Sequence, residues 1–202
     1  MGNLIDDCRG LSDQSGITID RIAAVLGGPG LTPDERAALQ KVDARRPYGR
    51  RVVHAGDTLE IMVATWTRAH PCVPHDHGGS VGGVRVLQGE AIHRIYKVVD
   101  DRLTIAHEEV RRAGEVMLCG PDMVHQMVDA GAGEPLMTLH VYAGPIDHMV
   151  VYDVPTGSSH VVDGGCGAWI PLDEPELVRC SVPRIVRRPQ LLAEEGTRCS
   201  PF

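Results

Sequence analysis

The sequence predicts a mainly β fold, an antiparallel sandwich or small barrel that follows short N-terminal helices. From Arg51 onward, apolar and polar residues alternate with a period of two, which is typical of strands with one buried face. Gly, Pro and Asp interrupt this alternation about every ten residues, as turns between short strands do. Asp100 and Asp101 are expected to form a tight hairpin turn. The predicted strands are residues 58–67, 84–88, 91–99, 103–110, 115–119, 136–142 and 149–154.

Two short helices are predicted before the strands. In residues 18–26 the apolar side chains recur at helical spacing, and the Gly-Pro run that begins at Gly27 ends this segment. In the second segment Thr32 can cap the helix, Pro33 occupies its first position, and Glu35 can reach back to the Thr32 backbone. This second helix is expected to extend to about Val42.

Length and composition favour one domain. A chain of 202 residues with 43% hydrophobic residues can fill a single core. We expect a helical segment at 1–50, a barrel core at 51–155 and a C-terminal extension at 156–202. Apolar runs fall far short of the ~20 residues that cross a bilayer, and the N-terminus lacks a signal-like pattern. A soluble, cytoplasmic protein without a membrane partner is therefore expected.

Charge composition argues against a nucleic-acid partner, and cysteine spacing indicates the redox state of the thiols. The chain has 20 Lys and Arg against 27 Asp and Glu, a net charge of −7, so the basic surface that nucleic acid requires is missing. Because the six cysteines are widely spaced and include no C-x-x-C pair, they are expected to be mostly reduced thiols, although their even number also permits disulfides. They are Cys8, Cys72, Cys119, Cys166, Cys180 and Cys199.

The H-x-H sequence at His75 and His77 is a candidate metal site. In an extended segment alternate side chains point the same way, so both imidazoles can face one point while Asp76 faces away. Two exposed polar residues of a loop would give the same sequence pattern. The H-x-H pair alone therefore leaves both interpretations open.

The surrounding sequence resembles the two motifs of the cupin family. A Gly-rich stretch and an apolar strand follow His77, Gly89 ends that strand, and a second motif runs from Gly114 to His125. The resemblance covers residues 52–153. It implies a small antiparallel β-barrel, or jelly roll, with a metal held in its mouth by His75, His77 and His125.

The chain departs from most metal cupins at one ligand position. Val81 and Gly82 occupy the places where a glutamate ligand is usual, and a set of three neutral imidazoles suits Fe(II) with open positions better than a closed zinc site. Asp129, which stands where many cupins have asparagine, is interpreted as a turn residue.

A third motif resembles the cysteine dioxygenases within the cupin superfamily. Thr138, His140 and Tyr142 alternate on one predicted strand and can form a hydroxyl–imidazole–phenol relay. This strand looks like the family's Ser-x-His-x-Tyr strand, with threonine in place of serine, and residues 74–82 are similar to the bacterial members in particular. Gly82 replaces the cysteine that the animal enzymes link to the tyrosine, so no crosslink is expected.

The resemblance also implies a substrate site. Tyr48 and Arg50 match the family's Tyr-x-Arg segment. The guanidinium of Arg50 suits a substrate carboxylate, and a solvated surface charge is the alternative interpretation of this residue. Arginine rather than glutamine at this position favours L-cysteine over 3-mercaptopropionate. Ergothioneine and mercaptosuccinate also remain as alternative substrates.

The expected function is a non-haem Fe(II) thiol dioxygenase that converts a small thiol acid and O2 into a sulfinic acid. The resemblance implies that Tyr142, supported by His140 and Thr138, donates a hydrogen bond at the reacting centre. A non-catalytic metal- or ligand-binding cupin and a different cupin enzyme are the alternatives. The expected assembly is a monomer or small homo-oligomer. No role is assigned to the other histidines, His54, His70, His93, His107, His148 and His160.

Overall fold

The computed structural model describes residues 3–13, 16–131, 133–144 and 146–187. Its helices are α1 (Leu4–Arg9), α2 (Ile19–Leu26) and α3 (Pro33–Leu39). The strands that follow are β1 (Tyr48–Ala55), β2 (Leu59–Trp66), β3 (Val81–Gln88), β4 (Glu90–Val99), β5 (Arg102–Arg112), β6 (Val116–Cys119), β7 (Val124–Asp129), β8 (Met137–Ala143), β9 (His148–Asp153), β10 (Ser158–Asp163) and β11 (Val178–Val182). The predicted mainly β fold with short N-terminal helices is confirmed.

The strands pair antiparallel in three groups. A five-stranded sheet has the order β1-β2-β8-β3-β6, and two three-stranded groups have the orders β5-β4-β7 and β11-β10-β9. His75 connects the two smaller groups, because it forms bridges with His125 of β7 and with Val151 of β9. The segment that carries the H-x-H pair is thus fixed between two strands rather than left as a free loop.

Strand β8 separates two buried layers. Its odd-numbered side chains, Leu139 and Val141, join the apolar cluster that contains Ile22 and Leu26 of α2. Glycine at position 83 permits this packing, because a Cβ there would lie 2.7 Å from Leu26 Cδ1. The even-numbered side chains of β8 face the opposite way, as the period of two requires.

The second layer is the interior between the sheets. Its cluster includes Tyr48, Met62, Trp66 and Met127, which come from β1, β2 and β7. Aromatic contacts hold it together: the Tyr48 and Trp66 rings lie 4.7 Å apart between centroids. The polar side chains of the predicted site enter this otherwise apolar layer.

Several boundaries differ from those predicted. The capping box at Thr32 is present, but α3 ends at Leu39 because Gln40 is already extended, with φ −62° and ψ 134°. Strand β3 begins at Val81 rather than at residue 84. Asp100 and Asp101 form the predicted turn, both with positive φ. The sequence did not indicate α1, β1, β7, β10 or β11.

The cysteines largely behave as predicted. Within the described ranges Cys8, Cys72, Cys119 and Cys166 are free and buried. Cys180 is disulfide-bonded, so the reduced state expected of most cysteines does not hold at that position, and Cys199 lies outside the described residues. Among the helices of the described residues, none is long and apolar enough to cross a membrane.

Candidate metal centre and its cavity

His75, His77 and His125 converge in the interior. One nitrogen from each lies within 4.8 Å of the others, and the three side chains are buried. Asp76 faces away, as the alternation predicts, and its Oδ1 accepts hydrogen bonds from the backbone N–H groups of Gly78 at 3.1 Å and Val150 at 2.9 Å. The carboxylate thereby fixes the H-x-H segment against β9.

All three imidazoles are neutral and suited to coordinate a metal. Burial lowers the pKa of His75 to about 4 and lowers the pKa values of His77 and His125 well below the usual range. His75 Nδ1 lies 3.0 Å from the Val73 carbonyl oxygen, so it is the donor and its Nε2 keeps a lone pair. The Nε2 atoms of His77 and His125 lie 3.3 Å apart. Three clustered neutral nitrogen donors fit a divalent transition metal.

A chain of hydrogen bonds leads to Tyr142 beside this cluster. Trp66 Nε1 donates to Thr138 Oγ1 at 2.8 Å, and Thr138 Oγ1 lies 2.7 Å from His140 Nε2. His140 Nδ1 lies 3.0 Å from the Tyr142 hydroxyl, which lies 3.1 Å from His77 Nε2. The structure thus brings Thr138, His140 and Tyr142 together with a predicted metal ligand.

The donors and acceptors in this chain follow one direction. With the Nε2 lone pair of His77 free to accept, the Tyr142 hydroxyl donates to it and accepts from His140 Nδ1–H. A neutral His140 then accepts at Nε2 from the Thr138 hydroxyl, one of whose two lone pairs holds the Trp66 N–H. Burial lowers the pKa of His140 to about 3, so the ring is neutral and its Nδ1–H donates to Tyr142. The proton of Tyr142 is therefore directed toward the histidine cluster. Trp66, which sequence reasoning missed, occupies the outer end of this chain.

Burial keeps Tyr142 protonated and close to its neighbours. Its side chain is 2% exposed, and burial raises the pKa of the phenol well above its usual value. Gly82 pairs with Tyr142 across β3 and β8. A Cβ at Gly82 would lie 2.4 Å from Tyr142 Cδ1, so the ring occupies the space of a side chain at that position.

The predicted substrate residues line the same cavity as the histidines. Tyr48 is buried, and its hydroxyl accepts a hydrogen bond from the Ala168 backbone N–H at 2.9 Å. Burial raises the pKa of this phenol to about 12. Tyr48 therefore fixes the loop after β10, and Gly164, Cys166 and Gly167 of that loop also line the cavity. The C-terminal extension thus contributes to the site, which the sequence did not indicate.

Arg50 is not a freely solvated charge. Its Nη1 donates to the carbonyl oxygens of Gly164, Gly165 and Cys166 at 2.6–3.1 Å. Its Nη2 lies 3.1 Å from Glu60 Oε1, and the two side chains are 20% and 12% exposed. Glu60 was also missed, although its alternation with Met62 on β2 places it on the inner face. The cavity thus contains a paired cation and anion.

His93, to which the sequence analysis assigned no role, lies beside the histidine cluster. It is 2% exposed, and its Nε2 lies 2.9 Å from His125 Nδ1. Its Nδ1 lies 3.3 Å from Glu109 Oε1. Alternation along β4 from Ala91, which is also buried, could have indicated that His93 faces inward. By contrast, Asp129 behaves as the predicted turn residue, because its carboxylate accepts from the N–H groups of Gly131 and Leu136.

Known proteins of one family share sequence with this chain. The family model "Cysteine dioxygenase type I" matches residues 1–154. Cysteine dioxygenase type 1 of Homo sapiens is 24% identical over 151 residues, covering 72% of this chain and 75% of that protein. The Danio rerio protein of the same name is 21% identical over 166 residues, covering 79% and 82%. Among solved structures, an uncharacterized Klebsiella pneumoniae protein with a double-stranded β-helix domain aligns with a TM-score of 0.45 and 19% identity, covering 58% of this chain and 90% of that one.

Proposed function

The chain belongs to the cysteine dioxygenase type I family of thiol dioxygenases, and we propose that it oxidises L-cysteine to cysteine sulfinate with Fe(II) as its metal. Both atoms of O2 are added to the sulfur, so no further reductant is needed. The observation that carries this proposal is the position of the Tyr142 hydroxyl, 3.1 Å from His77 Nε2 within the three-histidine cluster. A simple binding site has no need of a directed proton donor beside its metal ligands.

His75, His77 and His125 would hold the iron. When bound, Fe(II) supplies the redox chemistry and the open coordination positions at which a thiolate and O2 can meet. The burial of the three imidazoles keeps them unprotonated near neutral pH, so protons do not compete for the ligand nitrogens. The surrounding apolar layer excludes bulk water from the reacting groups.

Tyr142 would act as a hydrogen-bond donor to the reacting atoms. Once His77 Nε2 uses its lone pair for a metal, the hydroxyl proton at Tyr142 Oη loses that acceptor and becomes available to the bound reactants. His140 keeps the hydroxyl oriented, because its Nδ1–H occupies a lone pair of Oη. Thr138 and Trp66 in turn hold the tautomer of His140.

The pairing of Arg50 with Glu60 supports an amino acid as the substrate. Arg50 would bind the carboxylate through its Nη2, which now faces Glu60 at 3.1 Å. A thiol acid without an amino group brings only negative charge next to Glu60, whereas L-cysteine also brings a nitrogen that can donate to that carboxylate. This favours L-cysteine over 3-mercaptopropionate, in agreement with the expectation from Arg50 alone.

The test is oxygen uptake by anaerobically Fe(II)-loaded protein with separate thiols. The panel comprises L-cysteine, 3-mercaptopropionate, cysteamine, mercaptosuccinate and ergothioneine, with mass spectrometry of each product. We expect the highest kcat/KM with L-cysteine and a product heavier by two oxygen atoms. Another preferred thiol would replace the substrate assignment, and absence of uptake with one iron bound per chain would remove the dioxygenase assignment.

We place the enzyme in the cytoplasm. Four of the five cysteines in the described ranges are free and buried, which supports a reducing compartment, and the disulfide-bonded Cys180 is the exception. A monomer or small homo-oligomer stays a prediction, for which light scattering is the direct measurement.

A further inference from the structure

We propose that His93 and Glu109 are positioning residues of the metal centre, which orient His125 and increase the electron density at its ligand nitrogen. The proposal rests on the three-histidine metal site of the proposed function. It concerns a chain of side chains that ends at His125, whereas the chain through Tyr142 ends at His77. Neither residue would touch the metal or the substrate.

The strand register brings these residues together. Strand β4 lies between β5 and β7, and His93 pairs with Glu109 of β5 on one side and with Met127 of β7 on the other. His93 Nε2 lies 2.9 Å from His125 Nδ1, and the two rings are nearly perpendicular, at 82°. His93 Nδ1 lies 3.3 Å from Glu109 Oε1. The three groups thus form a continuous chain that ends at a predicted metal ligand.

The acceptor at the outer end fixes the direction of this chain. Partial burial opposes ionisation of Glu109, but hydrogen bonds from Arg111, His107 and His93 prevail and lower the pKa of its carboxyl to about 2. An ionised carboxylate can only accept, so a neutral His93 donates from Nδ1 and accepts at Nε2. His125 must then carry its proton on Nδ1. Its Nε2 is left with the lone pair that a metal requires.

The three ligand histidines differ in their outer partners. His75 donates to the Val73 carbonyl, and His77 Nδ1 has no hydrogen-bond partner within the described ranges. His125 is linked through His93 to a charged group. An imidazole that donates toward a negative charge is a more basic ligand, and loss of such outer partners typically weakens metal affinity by about 10–100-fold. His125 is therefore expected to be the strongest of the three donors.

The test measures metal affinity without thiol or O2. Co(II) is titrated into the metal-free protein in competition with a chromophoric chelator, and the visible d–d spectrum of the bound Co(II) reports its coordination. We expect His93→Phe to weaken Co(II) binding by about 10–100-fold and to change the spectrum. His93→Gln, whose amide oxygen can accept from His125 Nδ1, should restore binding to within a few-fold of wild type.

Two further variants separate charge and packing. Glu109→Gln keeps a hydrogen-bond acceptor for His93 but removes the negative charge. The Co(II) affinity of this variant should therefore lie between those of wild type and His93→Phe. His107→Phe is the matched control, because the exposed His107 also contacts Glu109 at 3.2 Å but lies outside the chain to His125. Its affinity should equal that of wild type.

Two results would overturn the proposal. The first is wild-type Co(II) affinity in His93→Phe. The second is equal weakening in His93→Phe and His93→Gln, which would assign His93 to packing alone. If circular dichroism shows that metal-free His93→Phe does not fold, the Co(II) affinity of Glu109→Gln is compared with that of the wild type. Equal Co(II) affinities of these two proteins would refute the effect of the Glu109 charge. Because no turnover is measured, failure of the dioxygenase assignment is scored separately in the oxygen assay.

Discussion

Replacement of Tyr142 by phenylalanine tests the role of the relay directly. The substitution removes one hydroxyl and keeps the ring, whose packing against Gly82 and His77 should persist. Two hydrogen bonds are lost, at 3.0 Å to His140 Nδ1 and at 3.1 Å to His77 Nε2. The variant therefore separates loss of the proton donor from loss of the core.

The expected magnitudes follow from these contacts. His140 Nδ1–H is left buried without an acceptor, which costs about 1–3 kcal/mol of unfolding free energy. A positioned proton donor typically contributes about 10²–10⁴-fold to the rate, so kcat should fall by at least about 100-fold, or about 2.7 kcal/mol in activation free energy. Because the hydroxyl is not among the clustered nitrogen donors, the iron content per chain should stay near wild type.

Tyr152→Phe is the matched control. Tyr152 is fully buried on β9, and its hydroxyl has no hydrogen-bond partner in the part of the chain that the structure describes. Its removal should leave activity unchanged and stability unchanged or slightly higher. Iron analysis, denaturant unfolding, oxygen uptake and sulfinate yield are measured on both variants. Unchanged kcat in Tyr142→Phe, or activity lost only in proportion to lost iron, would refute the role of Tyr142 as donor.

Four other perturbations follow from the same contacts. Glu60→Gln removes the anion 3.1 Å from Arg50, so KM for 3-mercaptopropionate should fall about 10-fold, equivalent to about 1.4 kcal/mol. If the ratio of KM for 3-mercaptopropionate to KM for L-cysteine stays unchanged, the charge-pair argument is contradicted. Gly83→Ala places a Cβ 2.7 Å from Leu26 Cδ1 on the sheet face away from the site; it should lower the unfolding free energy by about 1–3 kcal/mol and leave kcat unchanged. In the folded chain the pKa of His140 is lowered from 6.5 to about 3. Between these two values the unfolded chain binds a proton at His140 and the folded chain does not. The unfolding free energy should therefore be highest above pH 6.5 and decline as the pH falls toward 3. That loss is at most about 1.4 kcal/mol per pH unit for this imidazole, and a smaller pH dependence in His140→Gln by urea unfolding is the check. Chelation of the metal should lower the melting temperature, because a ligand at 100 times its Kd adds about 2.7 kcal/mol; equal melting curves with and without chelator would argue against a bound metal.

The alternation of side chains along the sequence was sufficient to predict which site residues share a face, where those residues lie on one strand or one short segment. The alternation in residues 138–142 placed three polar side chains on one face, and that face is buried in the interior. His75 and His77 followed the same rule. Predicting these positions required no knowledge of strand pairing, because the alternation of side chains in an extended segment alone determines which of them share a face.

Contacts between strands were beyond such reasoning. A simple hairpin closed at Asp100 and Asp101 would pair His93 with Glu108, because Val99 pairs with Arg102. A bulge between Ile95 and Tyr96 shifts the register by one residue, so His93 faces Glu109 instead. A one-residue shift moves a side chain to the other face of the sheet. The outer partner of His125 therefore depends on an irregularity that composition does not reveal.

The two hydrogen-bond chains give the histidine cluster two unlike sides. The chain from Trp66 ends in a proton donor at Tyr142, whereas the chain from Glu109 ends in a lone pair on His125. One side is thus arranged to give a hydrogen bond and the other to give electron density. The ionised Glu109 carboxylate can only accept, which fixes the direction of the second chain, and the Trp66 N–H can only donate, which agrees with the direction of the first. The same three imidazoles without these outer groups could bind a metal, but the tautomer of His125 would not be fixed and the cluster would have no directed donor.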